Sequence, residues 1–442
     1  MKSALYVCVL EFAVAALTVG AVYASDGTGA VRYFSNEGDD SADGLTPATA
    51  WRTIEKLGRD LPAGGEARLR RGDVFFGRVN LKSGPSAACR TVLSAYGEGA
   101  RPEISAYKVA RPDSAVWEPA GGDGLWRIDL SDHSRFGGNH MTDDGNVGFL
   151  KVDGRIFGRK FFAKGAGKLS RQWDFTDDGR CLTVWSKGNP ALVAKDIRIA
   201  PCMSVIPFGN NIEVRGIAIR GTGSHGAHGS GRNVRFFDCV FSEIGGSHLK
   251  GHGNGMSRFG NGLECWAGAS DVQAVRCEFS DIYDVGFTMQ GDWPPHSWKD
   301  VHVTDCVFAR CSQCYELWTV KCRPGIGMVN CTFVRNRCED TGRGWGYDVR
   351  PDKANSTPLL VYAMETDTCD VLVSSNKFVN SRGFLVFKAG GLSKLPKTYR
   401  IEGNTIAGPV DAPIANRIGK EKAADEDARE KAIRAANKFV SN

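Results

Sequence analysis

A short motif recurs through the second half of the chain. Asp238-Cys-Val-Phe241, Arg276-Cys-Glu-Phe279, Asp305-Cys-Val-Phe308 and Asn330-Cys-Thr-Phe333 are followed by Ser375-Asn-Lys-Phe378 and Gly403-Asn-Thr-Ile406, with the Cys or Asn positions 38, 29, 25, 45 and 28 residues apart. Such spacings belong to stacked structural repeats whose loops vary in length. Alternating β-branched residues precede the motifs, as in Val301-His-Val-Thr304, Val371-Leu-Val-Ser374 and, one coil earlier, Ile212-Glu-Val-Arg-Gly-Ile-Ala-Ile219. These read as short strands. No helix-period pattern lies between them, which excludes βαβ units and leaves an all-β solenoid of stacked parallel strands. In that coil Cys239, Cys277, Cys306 and Cys331 form an inward column. Stacked strands sit about 4.8 Å apart, more than the roughly 3.5 to 4.5 Å between the Cβ atoms of a disulfide, so mostly free thiols are expected.

The 442 residues hold 54 Gly against 17 Pro, which suits many tight turns, and 42% hydrophobic with 24% charged residues excludes a disordered or collagen-like chain. Residues 1–24 carry Lys2, an apolar run and a small-residue ending at Ala24, and read as a signal peptide, with an uncleaved anchor as the alternative because of Glu11. The expected location is secreted or periplasmic, with no membrane contact after cleavage, since no later stretch reaches about 18 apolar residues. A net charge of +6 permits anionic polymers without demanding them. No nucleic-acid motif appears, and a monomer is expected. Of 14 Cys, Cys8 leaves with the signal, and the odd 13 leave at least one unpaired. Cys311-x-x-Cys314 near Cys322 resembles half a zinc ribbon but lacks a second C-x-x-C, so small buried hydrophobes are the reading and no metal site is assigned.

Arg32-Tyr-Phe-Ser-Asn-Glu-Gly-Asp-Asp-Ser-Ala-Asp-Gly-Leu-Thr-Pro-Ala-Thr-Ala-Trp51, Arg71-Gly-Asp73 and Ser94-Ala-Tyr-Gly-Glu-Gly-Ala-Arg-Pro102 resemble the opening segment of secreted right-handed parallel β-helix proteins of the pectate-lyase-like superfamily. The resemblance extends to Gly260-Asn-Gly-Leu-Glu-Cys-Trp266 and Gly342-Arg-Gly-Trp-Gly-Tyr347. It implies a carbohydrate-active protein, and a short helix at Ala48 to Leu57 capping the open end of residues 25–110. Residues 111–200 break the repeat. Leu125–Leu130, Gly148–Gly154 and Leu182–Trp185 alternate apolar and polar residues between Gly and Asp turns, which reads as an inserted antiparallel β unit. The core spans 201–412, and 413–442 is an alanine-rich tail of mixed charge, expected as a C-terminal helix with little apolar face.

Aligned strands give one informative column: Leu263-Glu-Cys-Trp266, Phe287-Thr-Met-Gln290 and Tyr315-Glu-Leu-Trp318. Period-two alternation sends Glu264, Trp266, Thr288, Gln290, Glu316 and Trp318 outward. Exposed indoles beside carboxylates suit a sugar ring, which has an apolar face and a hydroxyl rim; the alternative is that loops 246–260 and 291–299 cover them. Glu264 and Glu316 flank one intervening strand, so they resemble an inverting glycosidase pair, against the alternative of a solvated ladder. Asp284 and Asp348 are reserve carboxylates. His248 and His252 lie in a Gly-rich loop, with His225 and His228 one coil earlier, and are candidates for a base or, weakly, a metal. Lys250, Arg258 and Arg350 are candidate ligands for a uronate or sulfate, and Trp345 for the substrate.

The leading functional reading is hydrolysis of a polysaccharide or oligosaccharide in a groove along the solenoid by Glu264 and Glu316. The alternatives are a polysaccharide lyase, with His252 or Lys250 as base and Arg258, Arg350 or Ca²⁺ neutralising a uronate, and a non-catalytic glycan-binding protein. Only the lyase reading asks for a cofactor, and no dense Asp cluster for calcium is present.

Overall fold

The computed structural model describes residues 29–137, 144–162, 168–252, 257–351, 353–387, 396–408, 414–416 and 424–440. The expected signal peptide lies outside them. Three parallel sheets run through the molecule. The first has ten strands, from Val31–Phe34 through Trp298–Thr304 and Gly327–Val334 to Tyr399–Glu402. The second has ten, from Val74–Phe76 through Val240–Ile244, Glu278–Ile282 and Val307–Ala309 to Lys438–Val440. The third has eight: Ile206–Pro207, Ala227–Gly229, Leu263–Trp266, Val285–Asp292, Gln313–Val320, Leu359–Met364, Leu385–Phe387 and Ile414–Asn416. Inward side chains stack in columns, and the Phe241, Phe279 and Phe308 rings lie 4.9 and 4.6 Å apart in near-parallel planes. Burying such columns is what binds one coil to the next.

One expectation about the repeat is corrected. Cys239, Cys277 and Cys306 do form a buried column, and the Cys277 amide donates to the Cys306 sulfur. The column then continues through Asn336, Asn376, Asn404 and Asn437, not through Cys331. The Cys306 amide donates to Asn336 Oδ1 at 2.9 Å, Asn336 to Asn376 at 2.8 Å, Asn376 to Asn404 at 2.9 Å and Asn404 to Asn437 at 3.0 Å. Cys331 is buried on a strand of the first sheet, opposite Val371. The misalignment has a local cause. Asp238, Arg276, Asp305, Arg335 and Ser375, each just before a ladder residue, adopt left-handed φ between 52° and 59°, and Asn330 does the same at 52°. Asn330-Cys331 therefore copies the corner motif without occupying the corner.

The capping segment is a 3-10 turn at Pro47–Thr49 followed by the helix Ile54–Asp60, which buries Ile54 and Leu57, so the helix begins later than expected. The insertion builds two five-stranded sheets around its own core of Ile128, Leu150, Phe175, Leu182 and Ile199. They are antiparallel except where Lys160–Phe161 runs parallel to Phe175–Asp177. At the far end the helix Ala424–Ala435 buries Ile433, and Lys438–Val440 pairs with Thr405–Ala407 to complete the second sheet. Among the described residues no helix is long and apolar enough to cross a membrane.

Candidate functional site

The third sheet forms the floor of a cavity of about 440 Å³. Its register places Glu264 opposite Thr288 and Thr288 opposite Glu316, and two residues further on Trp266 opposite Gln290 and Gln290 opposite Trp318. Leu263, Cys265, Phe287, Met289, Tyr315 and Leu317 are buried in the core between them, so the alternation read from the sequence holds. The two indoles flank Gln290 with ring centres 6.3 Å apart and planes 29° apart, and both line the cavity half-buried.

The expectation of solvent-exposed carboxylates is corrected: Glu264 is 3% exposed and Glu316 9%. Neither is a rung of a solvated ladder. Glu264 Oε2 accepts from Asn261 Nδ2 at 2.5 Å and from Gln290 Nε2 at 2.9 Å, while Oε1 faces His228 Nε2 at 3.4 Å. Burial nevertheless pushes its carboxyl up to about 7. Glu316 Oε2 accepts from the Thr288 hydroxyl at 3.1 Å. Burial, and next the charge of Asp284, push Glu316 up to about 8. Asp284 also lines the cavity, in a 2.6 Å ion pair with Arg350. His225 stacks on His228 with ring centres 5.3 Å apart and accepts the Asn261 amide on Nδ1. Burial drives it down to about 4, so it is a neutral neighbour of Glu264, with its Nδ1 3.4 Å from Oε2.

Ser247–His248 pairs antiparallel with Arg258–Phe259 as a small hairpin, and Leu249, His252 and Phe259 form one wall of the cavity. Its base needs glycine. A Cβ on Gly260 would lie 2.2 Å from the Gly245 Cα, and φ is 132° and 100° at the two positions. The opposite wall is Leu360 and Tyr362 on the next coil. The loop 291–299 does not cover the indoles: Trp293 is 62% exposed, and Trp298 is buried with its Nε1 donating to the Cys265 carbonyl.

Several expected site residues stand elsewhere. Arg258 reaches the cavity edge, but its guanidinium is spent on the carbonyls of Gly246, Gly158 and Gly148 at 2.6, 3.0 and 2.8 Å, and it fastens the hairpin to the insertion. Lys250 is exposed and outside the cavity. His248 lies against the insertion, its Nδ1 3.5 Å from Lys160 Nζ, which is itself buried in a 2.7 Å pair with Asp177. Asp348 is on the short helix Trp345–Val349, where it lines a separate depression with Arg159 and Trp173. Trp345 packs on Phe149 and Tyr283 and donates to the Asp281 carbonyl. The helix explains both: the glycines of Gly342-Arg-Gly-Trp-Gly-Tyr347 break any helical period, so the sequence reads Asp348 as following a strand.

Cys311 and Cys314 are buried, with Cys314 Sγ 3.1 Å from the Thr341 hydroxyl. His225 and His228 stack while His248 turns to Lys160, and among the described residues no group of three or more His, Cys, Asp or Glu could hold a metal. Unforeseen at the site are Asn261, Asn355, Leu360 and Tyr362, and the contact of His225 and His228 with Glu264. Leu359-Leu-Val-Tyr362 is apolar throughout, so no alternation marks Leu360 and Tyr362 as the outward pair. Nothing in the sequence marked Asn261 beyond its place in Gly260-Asn-Gly262.

No family model matches the sequence, and no curated protein resembles it at the level of sequence. Solved structures do. The complex of XylC with xylose is similar over 88% of this chain and 70% of that one, with a TM-score of 0.51 at 10% identity. The fold is a pectate-lyase-like right-handed parallel β-helix. A glycoside hydrolase aligns over 93% of this β-helix chain and 95% of its own, at 10% identity and TM-score 0.45, and a rhamnogalacturonan lyase over 94% and 88%, at 13% and 0.44. At such identities the likeness is one of fold, and one β-helix hosts many chemistries.

Proposed function

We propose that this β-helix is an extracytoplasmic carbohydrate-active enzyme that hydrolyses a glycosidic bond, with Glu316 as general acid and Glu264 as general base. The observation that carries the reading is the register Glu264, Thr288, Glu316: two buried carboxyls on one face of the cavity, with two indoles one step along the strands. Two strand spacings put their backbones about 9.5 Å apart, at the upper end of the roughly 6.5 to 9.5 Å carboxyl separation of inverting pairs. Two amide donors favour the ionised form of Glu264, while the charge of Asp284 favours the proton on Glu316. Glu316 then protonates the leaving oxygen as Glu264 takes a proton from the water that attacks the anomeric carbon from the opposite face. The indoles supply the apolar surface on which a sugar ring stacks. XylC, similar in fold, is described in complex with a sugar, xylose.

A lyase needs a cation to neutralise the uronate carboxylate as the neighbouring proton leaves. Arg258 is occupied by three carbonyls, Arg350 holds Asp284, and Lys250 is outside the cavity. These commitments favour hydrolysis. The test is a polysaccharide and oligosaccharide panel followed by both reducing ends and the ultraviolet absorbance of unsaturated uronates. Reducing ends alone are expected, with Glu264→Gln and Glu316→Gln each losing about 10² to 10⁴ in rate. The pH profile should rise through about 7 and fall through about 8, values that belong to the pair. Absorbance with product would support elimination, and binding without turnover would leave a glycan-binding protein. Loss of less than tenfold in both variants removes the pair from the chemistry.

A further inference from the structure

We infer that the cavity receives its glycan by a chain end, with an uncharged terminal sugar against Asp284 and Arg350, and releases a mono- or disaccharide; this rests on the carbohydrate reading above. The cavity is blind on one side. A band of buried polar groups crosses it at the start of the strands: the His225 ring receives the Asn261 amide, Asn261 Oδ1 receives the Val285 amide, and Arg350 Nη1 bonds both Asp284 and the Tyr283 carbonyl. At the same end Gln313 donates to the carbonyl of Asn355, which also lines the cavity, at 3.0 Å. A polymer running through the site would have to break these bonds.

The walls along the solenoid are also close together. The floor between Phe259 and Leu360 is three strands wide, which at about 4.8 Å per strand is room for one or two sugar rings. The open side is the opposite end of the strands, beyond Trp266 and Trp318, where Asp292 and Trp293 are exposed. The strand direction, not the solenoid axis, is therefore the path of the glycan. At the blind end a carboxylate acceptor and a guanidinium donor lie side by side, the pairing that two neighbouring sugar hydroxyls satisfy. Three carboxyls in the cavity, with both arginines already paired, disfavour a charged end.

The test uses the full chain and unlabelled xylo-, manno-, gluco- and galacto-oligosaccharides of two to eight units, with every product sized by mass. For a series that is cleaved, the eight-unit chain should first give a mono- or disaccharide with the complementary seven- or six-unit remnant, and products of three to five units in the same first minutes would overturn the inference while leaving hydrolysis in place. Binding is read separately by calorimetry with Glu316→Gln. End docking gives one protein per chain at every length, whereas through-binding gives a stoichiometry that grows with length and overturns it. Should no series bind or be cleaved, the carbohydrate reading falls and the chain-end inference falls with it.

Discussion

Glu264 and Glu316 sit where a folding chain would not put carboxyls for stability. A carboxyl whose pKa is raised by burial keeps its proton in the folded state while the unfolded chain ionises, so stability is intact below about pH 4.5 and drains away as pH climbs toward about 8. Glu316→Gln has no proton to lose. Its melting temperature should match wild type near pH 4.5 and exceed it increasingly up to about pH 8, where the difference levels off at a few kcal/mol, since every tenfold change in an ionisation constant between the folded and unfolded chain is worth about 1.4 kcal/mol. Thermal melts across pH 4 to 9 decide it, and a flat difference would mean that Glu316 is ionised and solvated. Trp266→Ala and Trp318→Ala should each weaken glycan binding by about 1 kcal/mol, roughly fivefold. Because the indoles also rest on each other, the double variant should lose less than the sum, which a calorimetric double-mutant cycle will show.

At the scale of the element, the asparagine ladder does for the later coils what the cysteine column does for the earlier ones. Each Asn accepts an amide from the coil before it and donates its own Nδ2 to a strand carbonyl, as Asn376 does to Phe333 at 2.8 Å and Asn404 to Val373 at 2.9 Å. Asn376→Ala leaves buried amide and carbonyl groups unpaired and should cost about 1 to 3 kcal/mol in denaturant unfolding. Alternation along single strands was fully legible, because it depends only on the pleat: Leu263 in, Glu264 out, Cys265 in, Trp266 out. Alignment between strands was less so. Asn330-Cys331 and the true corner Arg335-Asn336 carry the same left-handed turn within six residues of each other, and only the pairing of Arg337 with Val307 selects between them.

For the whole molecule, stability is a stack of coils that needs both ends closed. Lys438–Val440 covers the edge of the second sheet and Ile433 covers the last coil, so a chain ending before Ala424 should expose the Thr405–Ala407 edge and self-associate, as light scattering would detect. The amino-acid sequence alone determined the stacked-strand architecture, the inserted β unit and the row of Glu and Trp on one face. All of these are written in local periodicity, which the pleat converts directly into direction. The tertiary structure decided what that row means. The two buried Glu stand against neighbours distant in the sequence, His225 and His228 beside Glu264 and Leu360 paired with Glu316 on the next coil, and no local pattern reports contacts made across such distances. The same holds for the cations. Arg258, Lys250 and Arg350 look alike as charges in a sequence, but folding gives Arg258 to three carbonyls, Arg350 to Asp284 and Lys250 to solvent, because a buried guanidinium must satisfy its donors wherever acceptors converge and an exposed ammonium need not.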